Sequence, residues 1–410
     1  MTHITNEERR VGIYATGDKP TVANTVKPDT PLETLNLNWK EKDLPERERT
    51  KHVHRLHPYL GKFIPQLVEI FLRKYFKPGQ TVLDPFCGSG TALVQSTELG
   101  INSIGYDISA FNVLLCTAKT AEYNVAELRK EVLDILEKVE RSTQEDSDQP
   151  TLWKSDLETI HTSGSDSNYL YEWFAPRTLH ELLTYRGCLE DGDYKYKDIL
   201  KIILSRSARS ARLTTHYDLD FPKKPQQGEY HCYKCGRICR PVTEAFKFLK
   251  RYSLDTIRRV EEFSRIRKEA SVIIHHADSR EDSFPPIDGV ITSPPYVGLI
   301  DYHEQHIYAY HLLGLEDRRV EEIGAALNGS SKSAKQQYQQ DLGRVFSNTV
   351  KSMKPGGRLI VIANDKENLY DEIAEIVGVE VENVLKRHVN RRTGRRASEF
   401  YESVFIWKKK

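Results

Sequence analysis

The chain has 410 residues, 39% hydrophobic and 29% charged, a length that fits one elaborated domain or two to three ordinary ones. Its 60 basic and 59 acidic residues leave a net charge of +1, which disfavours a globally basic nucleic-acid wrapper but leaves room for a local basic face. No apolar run approaches the roughly 18–20 residues of a membrane helix, the N-terminus has no apolar signal-peptide core, and six cysteines are too few for a disulfide scaffold, so a reducing, cytoplasmic setting is expected.

Residues 1–50 are polar and read as a flexible or loosely packed arm. Beyond His52 the pattern changes. PQLVEIFLRKYF carries Leu67, Ile70, Phe71 and Lys74–Tyr75 at helical spacing, and Pro78-Gly79 ends it. TVLDPF predicts a short buried strand, GSGTALVQSTELG a helix opening at a glycine-rich turn, and INSIGYDI a second strand. A long helix is predicted from about Ala110 to Val139, then a loop-like RSTQEDSDQPTLWKSD. SVIIHHAD, DGVITSPP and GGRLIVIAND predict further strands, and the tail from Glu380 predicts two final strands joined by a basic loop. This alternation predicts an α/β fold with a mostly parallel sheet covered on both faces. Between the second strand, ending near Ile108, and the third, starting near Ser271, lie about 160 residues. One crossover helix needs a fraction of that. An insertion over 141–270 is therefore predicted, within a domain made of 51–140 and 271–410.

Three short segments carry the chemistry. In Asp84-Pro85-Phe86-Cys87-Gly88-Ser89-Gly90-Thr91 a strand ends at an acid and a Gly-x-Gly turn opens a helix, letting the backbone approach a ligand closely. The third glycine of the dinucleotide fingerprint and a Gly-Lys-Ser/Thr phosphate loop are both missing, so the turn alone also fits a simple strand-to-helix connection. Asp107 ends the second strand about 20 residues on, where such folds hold ribose hydroxyls; capping of the next helix is the competing reading. In Thr292-Ser293-Pro294-Pro295-Tyr296 two prolines fix the backbone and leave their carbonyls as acceptors. With a serine before and an aromatic after, this forms a slot suited to a planar base with an exocyclic amine, or else a plain proline-stiffened loop.

HPYLGKFIPQLV, LDPFCGSGT and TSPPY, in that order, resemble motifs X, I and IV of the S-adenosylmethionine-dependent DNA amino-methyltransferase family. The serine form of the last is similar to that of the cytosine-N4-specific members, where adenine-N6 members usually carry an acid. The resemblance covers about residues 52–118 and 271–365. It implies a Rossmann-like seven-stranded methyltransferase sheet with an inserted target-recognition region, and S-adenosyl-L-methionine as cofactor. Phe86, Gly88, Gly90 and Thr91, with Asp84, would line the cofactor pocket and Asp107 would take the ribose hydroxyls. Asp278 would approach the adenine amino group, and Lys62 and Phe63 would lie near the methionine end. Ser293 and the Pro294 carbonyl would accept hydrogen bonds from the target amino group, Pro295 would stiffen the loop, and Tyr296 would stack on the flipped base.

The implied activity is site-specific methylation of cytosine N4 in double-stranded DNA by a monomer, as the modification partner of a restriction endonuclease. The alternatives are adenine-N6 DNA methylation, guanine-N2 RNA methylation (whose enzymes usually carry Asp-Pro-Pro-Tyr), or a catalytically silent DNA-binding module. None of the six cysteines follows a proline, so the Pro-Cys nucleophile of cytosine-C5 enzymes is missing. One departure from the family is the place of the insertion, which precedes HHADS instead of standing just before TSPPY.

Charge is segregated along the chain. Residues 201–268 hold 17 basic against 7 acidic residues, with Arg206, Arg209, Arg212, Lys223 and Lys224 interleaved with Tyr217 and Phe221. Lys386–Arg396 holds six basic residues and no acid. There Arg391, Arg392, Arg395 and Arg396 read as phosphate contacts. Without the two segments the remainder carries a net charge of −15. Finally, Cys232-x2-Cys235-x3-Cys239 has the spacing of a structural zinc site, with His216, His231 or Cys188 as the fourth ligand; three reduced thiols are the other reading. Cys87 and Cys116 read as core residues.

Overall fold

The computed structural model describes residues 13–14, 19–145, 168–281, 283–298, 301–325, 329, 331–389 and 400–410. In chain order the strands of its main sheet are β1 (Ile13–Tyr14), β2 (Thr81–Asp84), β3 (Asn102–Asp107), β6 (Val272–His276), β7 (Gly289–Thr292), β8 (Arg358–Ala363), β9 (Glu380–Val389) and β10 (Phe400–Lys408), while β4 (Tyr230–Cys232) and β5 (Arg237–Cys239) form a separate hairpin. The order across the sheet is β1-β9-β10-β8-β7-β2-β3-β6. Strand β10 runs antiparallel to both neighbours and every other pairing is parallel. The four residues of β7 and the last three of β2 are buried, as strands covered on both faces must be.

Helix α1 (Pro65–Tyr75) opens with proline in its first turn, where a missing N–H costs nothing, and buries Leu67, Val68 and the run Ile70–Leu72. Helix α2 (Thr91–Leu99) ends at Gly100 in the left-handed conformation, with the Ile101 amide bonded back to Ser96. The long helix predicted from Ala110 to Val139 is two helices, α3 (Ala110–Thr120) and α4 (Val125–Glu145). Ala121 turns extended, and the Asn124 side chain caps the second helix by accepting from the amides of Ala126 and Glu127. Helix α4 carries on into the predicted loop as far as Glu145, and 146–156 lie outside the described residues.

Between β3 and β6 stand α4, α5 (Asn168–Trp173), α6 (Pro176–Asp191), α7 (Lys197–Ala211), the β4–β5 hairpin and α8 (Phe246–Ser264). After β7 come α9 (Tyr302–Gln305), α10 (Ile307–Leu313) and α11 (Lys332–Ser352), and α12 (Tyr370–Val377) joins β8 to β9. Helices α11 and α12 pack with Leu83, Val361 and Trp407 in one buried cluster, and α1 packs with Val82, Ile291 and Ile360 in another. The helices of the insertion form a third cluster, which also takes in Val53, Leu56 and, from α3, Phe111 and Leu115.

The arm differs from its expectation. Residues 19–50 are not loosely attached: Ala23, Val26, Leu35 and Leu37 are buried and join the α1 cluster. Four apolar side chains scattered among polar ones are enough to anchor an irregular segment against a preformed helix. No helix among the described residues is long and apolar enough to cross a membrane.

Candidate active site

Parallel sheets bind ligands beyond the carboxyl ends of their strands, at the point where the strand order reverses. Here the chain moves one way from β2 to β3 and β6, and the other way from β7 to β8. The reversal lies between β2 and β7, whose carboxyl ends carry the DPFCGSGT turn and the TSPPY loop. A cleft open to solvent stands there. It is lined by Phe86, Gly88, Ser89 and Thr91 of the turn, by Ser293 and Pro295 of the loop, and by Lys62, Phe63, Asp107 and Asp278 from elsewhere.

The glycines of the turn are required by geometry. Gly90 stands before α2 with φ +75°, and a Cβ there would lie 2.9 Å from the Cys116 sulfur. Gly88 has φ +48°, and a Cβ would come within 3.3 Å of the Tyr59 hydroxyl. Both positions favour glycine twice over, through the left-handed backbone and through space. Cys87 and Cys116 are buried beneath the turn.

Asp107 does not cap α3, because Ser109 does. Its carboxylate instead accepts from the amides of Gly88 (2.8 Å) and Ser109 (2.9 Å) and from Asn112 (3.1 Å), tying the second strand to the glycine turn. Burial raises its pKa, with those hydrogen bonds opposing. Asp84 lies behind the cleft and does not line it: one oxygen accepts from Thr292 Oγ1 (2.6 Å) and the Phe86 amide (3.2 Å), and burial pushes its pKa up to about 7. It thus joins β2 to β7 beneath the site. Gly90 acts the same way, by shape and not by contact with the cleft.

Asp278 follows β6 and faces the cleft, held by a two-pronged ion pair with Arg280. Burial acts to raise its pKa, but the Arg280 bonds outweigh it and hold the carboxylate below its ordinary value. The Lys62 ammonium donates to the His54 carbonyl at 3.0 Å, and burial lowers its pKa to about 8.

In the TSPPY loop the Pro295 carbonyl accepts from the Tyr338 hydroxyl at 2.9 Å, while Ser293 is half-buried and lines the cleft. Pro294 is buried. Tyr296 does not line the cleft: it is 8% exposed, and its hydroxyl donates to Glu402, which is itself paired with buried Arg387. The expected stacking ring is therefore tucked beneath the loop in this structure. Tyr59 and Tyr302 are the tyrosines on the cleft wall, their rings stacked at 5.9 Å. Tyr59 lies within HPYLGKF, three residues before Lys62, in the same segment that carries the resemblance. Tyr302 and Glu322 have no periodic or motif signal. Glu322, in the loop after α10, lines the cleft, and burial, then the charges of Asp301 and Asp107, raise its pKa to about 8.

Three of the arginines expected to meet DNA do not form a free basic face. Arg206, Arg209 and Arg212 are buried on α7 and just past its end. Arg206 pairs with Asp255, Arg209 with Asp220, and Arg212 bonds the Leu219 carbonyl with its guanidinium over the Tyr308 ring. Their spacing of three places them along one helix face, and that face packs inward. Lys223 and Lys224 are exposed. Arg391, Arg392, Arg395 and Arg396 lie outside the described residues, and Arg387 of the same basic run is paired with Glu402.

Around the cleft Ser89 Oγ, Thr91 Oγ1 and Asn112 Oδ1 are buried without hydrogen-bond partners. Together with the Gly88 cradle and the Asp107 carboxylate they suit a ligand bearing hydroxyl groups, and Phe63, Phe86 and Ile323 offer it apolar faces. S-adenosylmethionine has both kinds of surface and fits this donor and acceptor set. Sheet order, switch-point cleft and glycine turn fit the class that the motifs resemble, a methyltransferase that uses S-adenosylmethionine.

Relatives narrow the class. The DNA methylase family of N6/N4 methyltransferases matches residues 13–119. The Type II methyltransferase M.MjaII of Methanocaldococcus jannaschii is 38% identical over 430 residues, covering 88% of this chain and 81% of that protein. M.BsoBI of Geobacillus stearothermophilus is 25% identical, with 68% of this chain and 56% of that protein covered. Among solved structures, TrmN from Thermus thermophilus aligns over 85% of this chain and 50% of its own at 12% identity, with a TM-score of 0.34. The chain belongs to the DNA methylase family of N6/N4 methyltransferases and is a DNA methyltransferase.

Proposed function

We propose that the chain methylates N4 of cytosine at a specific site in double-stranded DNA. The observation that carries this reading is Ser293 on the cleft wall, where a neutral hydroxyl stands at the position adenine-N6 relatives usually fill with an acid. An aromatic amine is a poor nucleophile because its lone pair is delocalised into the ring. Acceptors on its two hydrogens favour a pyramidal nitrogen and free that lone pair. Ser293 Oγ and the Pro294 carbonyl are the acceptors in this reading, since the Pro295 carbonyl already takes a bond from Tyr338. S-adenosylmethionine, when bound, supplies an electrophilic methyl group on a sulfonium. The protein's part is alignment and fixed dipoles, with no covalent enzyme intermediate. The buried Tyr296 is assigned to holding the loop through Glu402.

The target base must leave the duplex, at a cost of a few kcal/mol. Reading of the flanking sequence is assigned to the segment 141–270, with exposed Lys223 and Lys224 as phosphate contacts and the basic run 391–396 as a second contact. The proposed setting is a cytoplasmic monomer that protects DNA against a cognate restriction endonuclease. The test is to express the chain, digest host DNA to nucleosides and separate them. N4-methylcytosine that appears only with active protein supports the reading. N6-methyladenine alone overturns the cytosine assignment, and neither base overturns both.

A further inference from the structure

Between Leu213 and Glu244 the chain has almost no core. Apart from the β4–β5 hairpin it is irregular, and Cys232 is its only fully buried apolar residue. A segment this long with one buried apolar side chain cannot hold its shape by hydrophobic burial, and small units of this kind rely on disulfides or metals. No disulfide is present, because all six cysteines are free.

The same segment brings four ligand atoms together. His216 Nε2 lies 3.3 Å from Cys232 Sγ, and those two atoms and Cys239 Sγ all fall within 4.8 Å of one another. Cys235 Sγ lies 3.6 Å from Cys239 Sγ. A tetrahedral zinc with sulfur at ~2.3 Å and nitrogen at ~2.0–2.1 Å has ligand–ligand edges of roughly 3.5–3.8 Å. The two contacts, 3.3 and 3.6 Å, lie close to that range, and Cys239 Sγ stands within 4.8 Å of the other pair's atoms.

Two further details point to a metal. The Cys235 amide donates to Cys232 Sγ at 3.4 Å, and the turn closes through the Gly236 amide on the Cys232 carbonyl at 2.7 Å with Gly236 at φ +68°. An N–H aimed at sulfur favours thiolate over thiol. On the other side, the Tyr230 hydroxyl accepts from the His216 backbone amide at 3.2 Å and stands 3.1 Å from Nδ1. With Nδ1 protonated toward that oxygen, Nε2 keeps its lone pair, and the lone pair faces the sulfurs. This is how an outer partner fixes the tautomer of a metal-binding histidine.

We infer that His216, Cys232, Cys235 and Cys239 hold one structural zinc ion that replaces a hydrophobic core in the 213–244 segment. Four protein ligands leave no open position for catalysis. Binding displaces the protons of the three thiols to solvent. Of the fourth ligands open from spacing, the structure selects His216; Cys188 sits on α6 against the helical cluster of the insertion. The site also bears on the exposed lysines, since Lys223 and Lys224 lie inside the loop that the metal closes.

The test uses the untagged full chain purified without chelator. Elemental analysis is expected to give about one zinc per chain, falling at least ten-fold in Cys239→Ser and in His216→Ala. His216→Cys, which replaces the nitrogen ligand by a fourth sulfur, is expected to keep the metal. Because a serine variant can misfold, the wild type is also stripped with chelator and reloaded with cobalt, which should give the intense thiolate-to-metal absorption of a tetrahedral sulfur site. S-adenosylmethionine binding checks that the rest of the chain is intact. The inference is overturned by wild-type protein that carries no zinc and takes up no cobalt, by metal content unchanged in both loss variants, or by a Cys235–Cys239 disulfide in the isolated protein.

Discussion

The Tyr338 hydroxyl stands 2.9 Å from the Pro295 carbonyl and 2.9 Å from the Tyr370 hydroxyl, so α11 and α12 together hold the loop that carries Ser293. Tyr338 is buried, and its ring also packs against Gly324 on the far side of the cleft loop. Replacing it with phenylalanine keeps the ring and removes the donor. The loss of two buried hydrogen bonds costs about 1–3 kcal/mol of stability. Turnover is expected to fall several-fold with cofactor affinity little changed, as read by methyl-transfer kinetics beside a binding isotherm.

Ser293→Ala removes one of the two acceptors proposed for the target amine. The expected loss in methyl transfer is about 10–100-fold, the range for a hydrogen bond that strengthens in the transition state. S-adenosylmethionine affinity should stay within a few-fold of wild type. Lost cofactor binding with unchanged turnover would contradict the role given to Ser293.

Asp84 couples pH to stability. Its pKa rises from 3.8 to about 7 on folding, because burial disfavours the charge. The folded state therefore binds the proton more tightly than the unfolded state. The favourable contribution is full below about pH 4 and is lost as pH rises to about 7. Asp84→Asn keeps an acceptor for Thr292 and Phe86 but cannot ionise. Its denaturation midpoint should decline less across that window than that of wild type, the remainder coming from groups such as Asp107 and Glu322.

Gly90→Ala forces a left-handed alanine, at about 1–2 kcal/mol, in addition to the 2.9 Å approach to Cys116. Thermal unfolding should shift down markedly, and S-adenosylmethionine should restore only part of the loss.

The buried and exposed cations of the insertion should separate cleanly. Arg209→Ala removes the buried ion-pair partner of Asp220, costing about 3 kcal/mol or more. It should reduce stability with no specific change in the salt dependence of DNA binding. The double variant Lys223→Ala, Lys224→Ala should unfold like wild type and lower the salt slope of DNA binding by roughly one to two units. The reverse pattern would return the buried arginines to the DNA.

The parts of the fold that were legible in the sequence were those written as contiguous signals. DPFCGSGT and TSPPY each follow a short apolar strand, and the structure places both at one reversal of the sheet. What was not legible was which way a side chain faces. The arginines of α7 look like a DNA-binding stripe in composition, yet Asp220 and Asp255, eleven and 49 residues away from their partners, draw two of them inward. Tyr296 looks like a free stacking ring until Glu402, 106 residues on, claims its hydroxyl. Glu322 is set in the cleft wall by a loop whose sequence has no period at all. Such pairings depend on tertiary proximity, which one sequence does not encode in any local pattern.

His57, in the HPYLGKF segment beside the cleft, contacts Ser205 of α7 at 3.2 Å and Tyr308 of α10 at 3.3 Å, and the insertion shares one buried cluster with α3. The inserted segment is thus keyed into the wall of the reaction centre and is not a detachable cassette. Grafting the corresponding stretch of a relative would transplant part of this core along with the surface proposed to read the target. If that surface reads the target, re-targeting this chain calls for substitutions at its exposed loops, one side chain at a time.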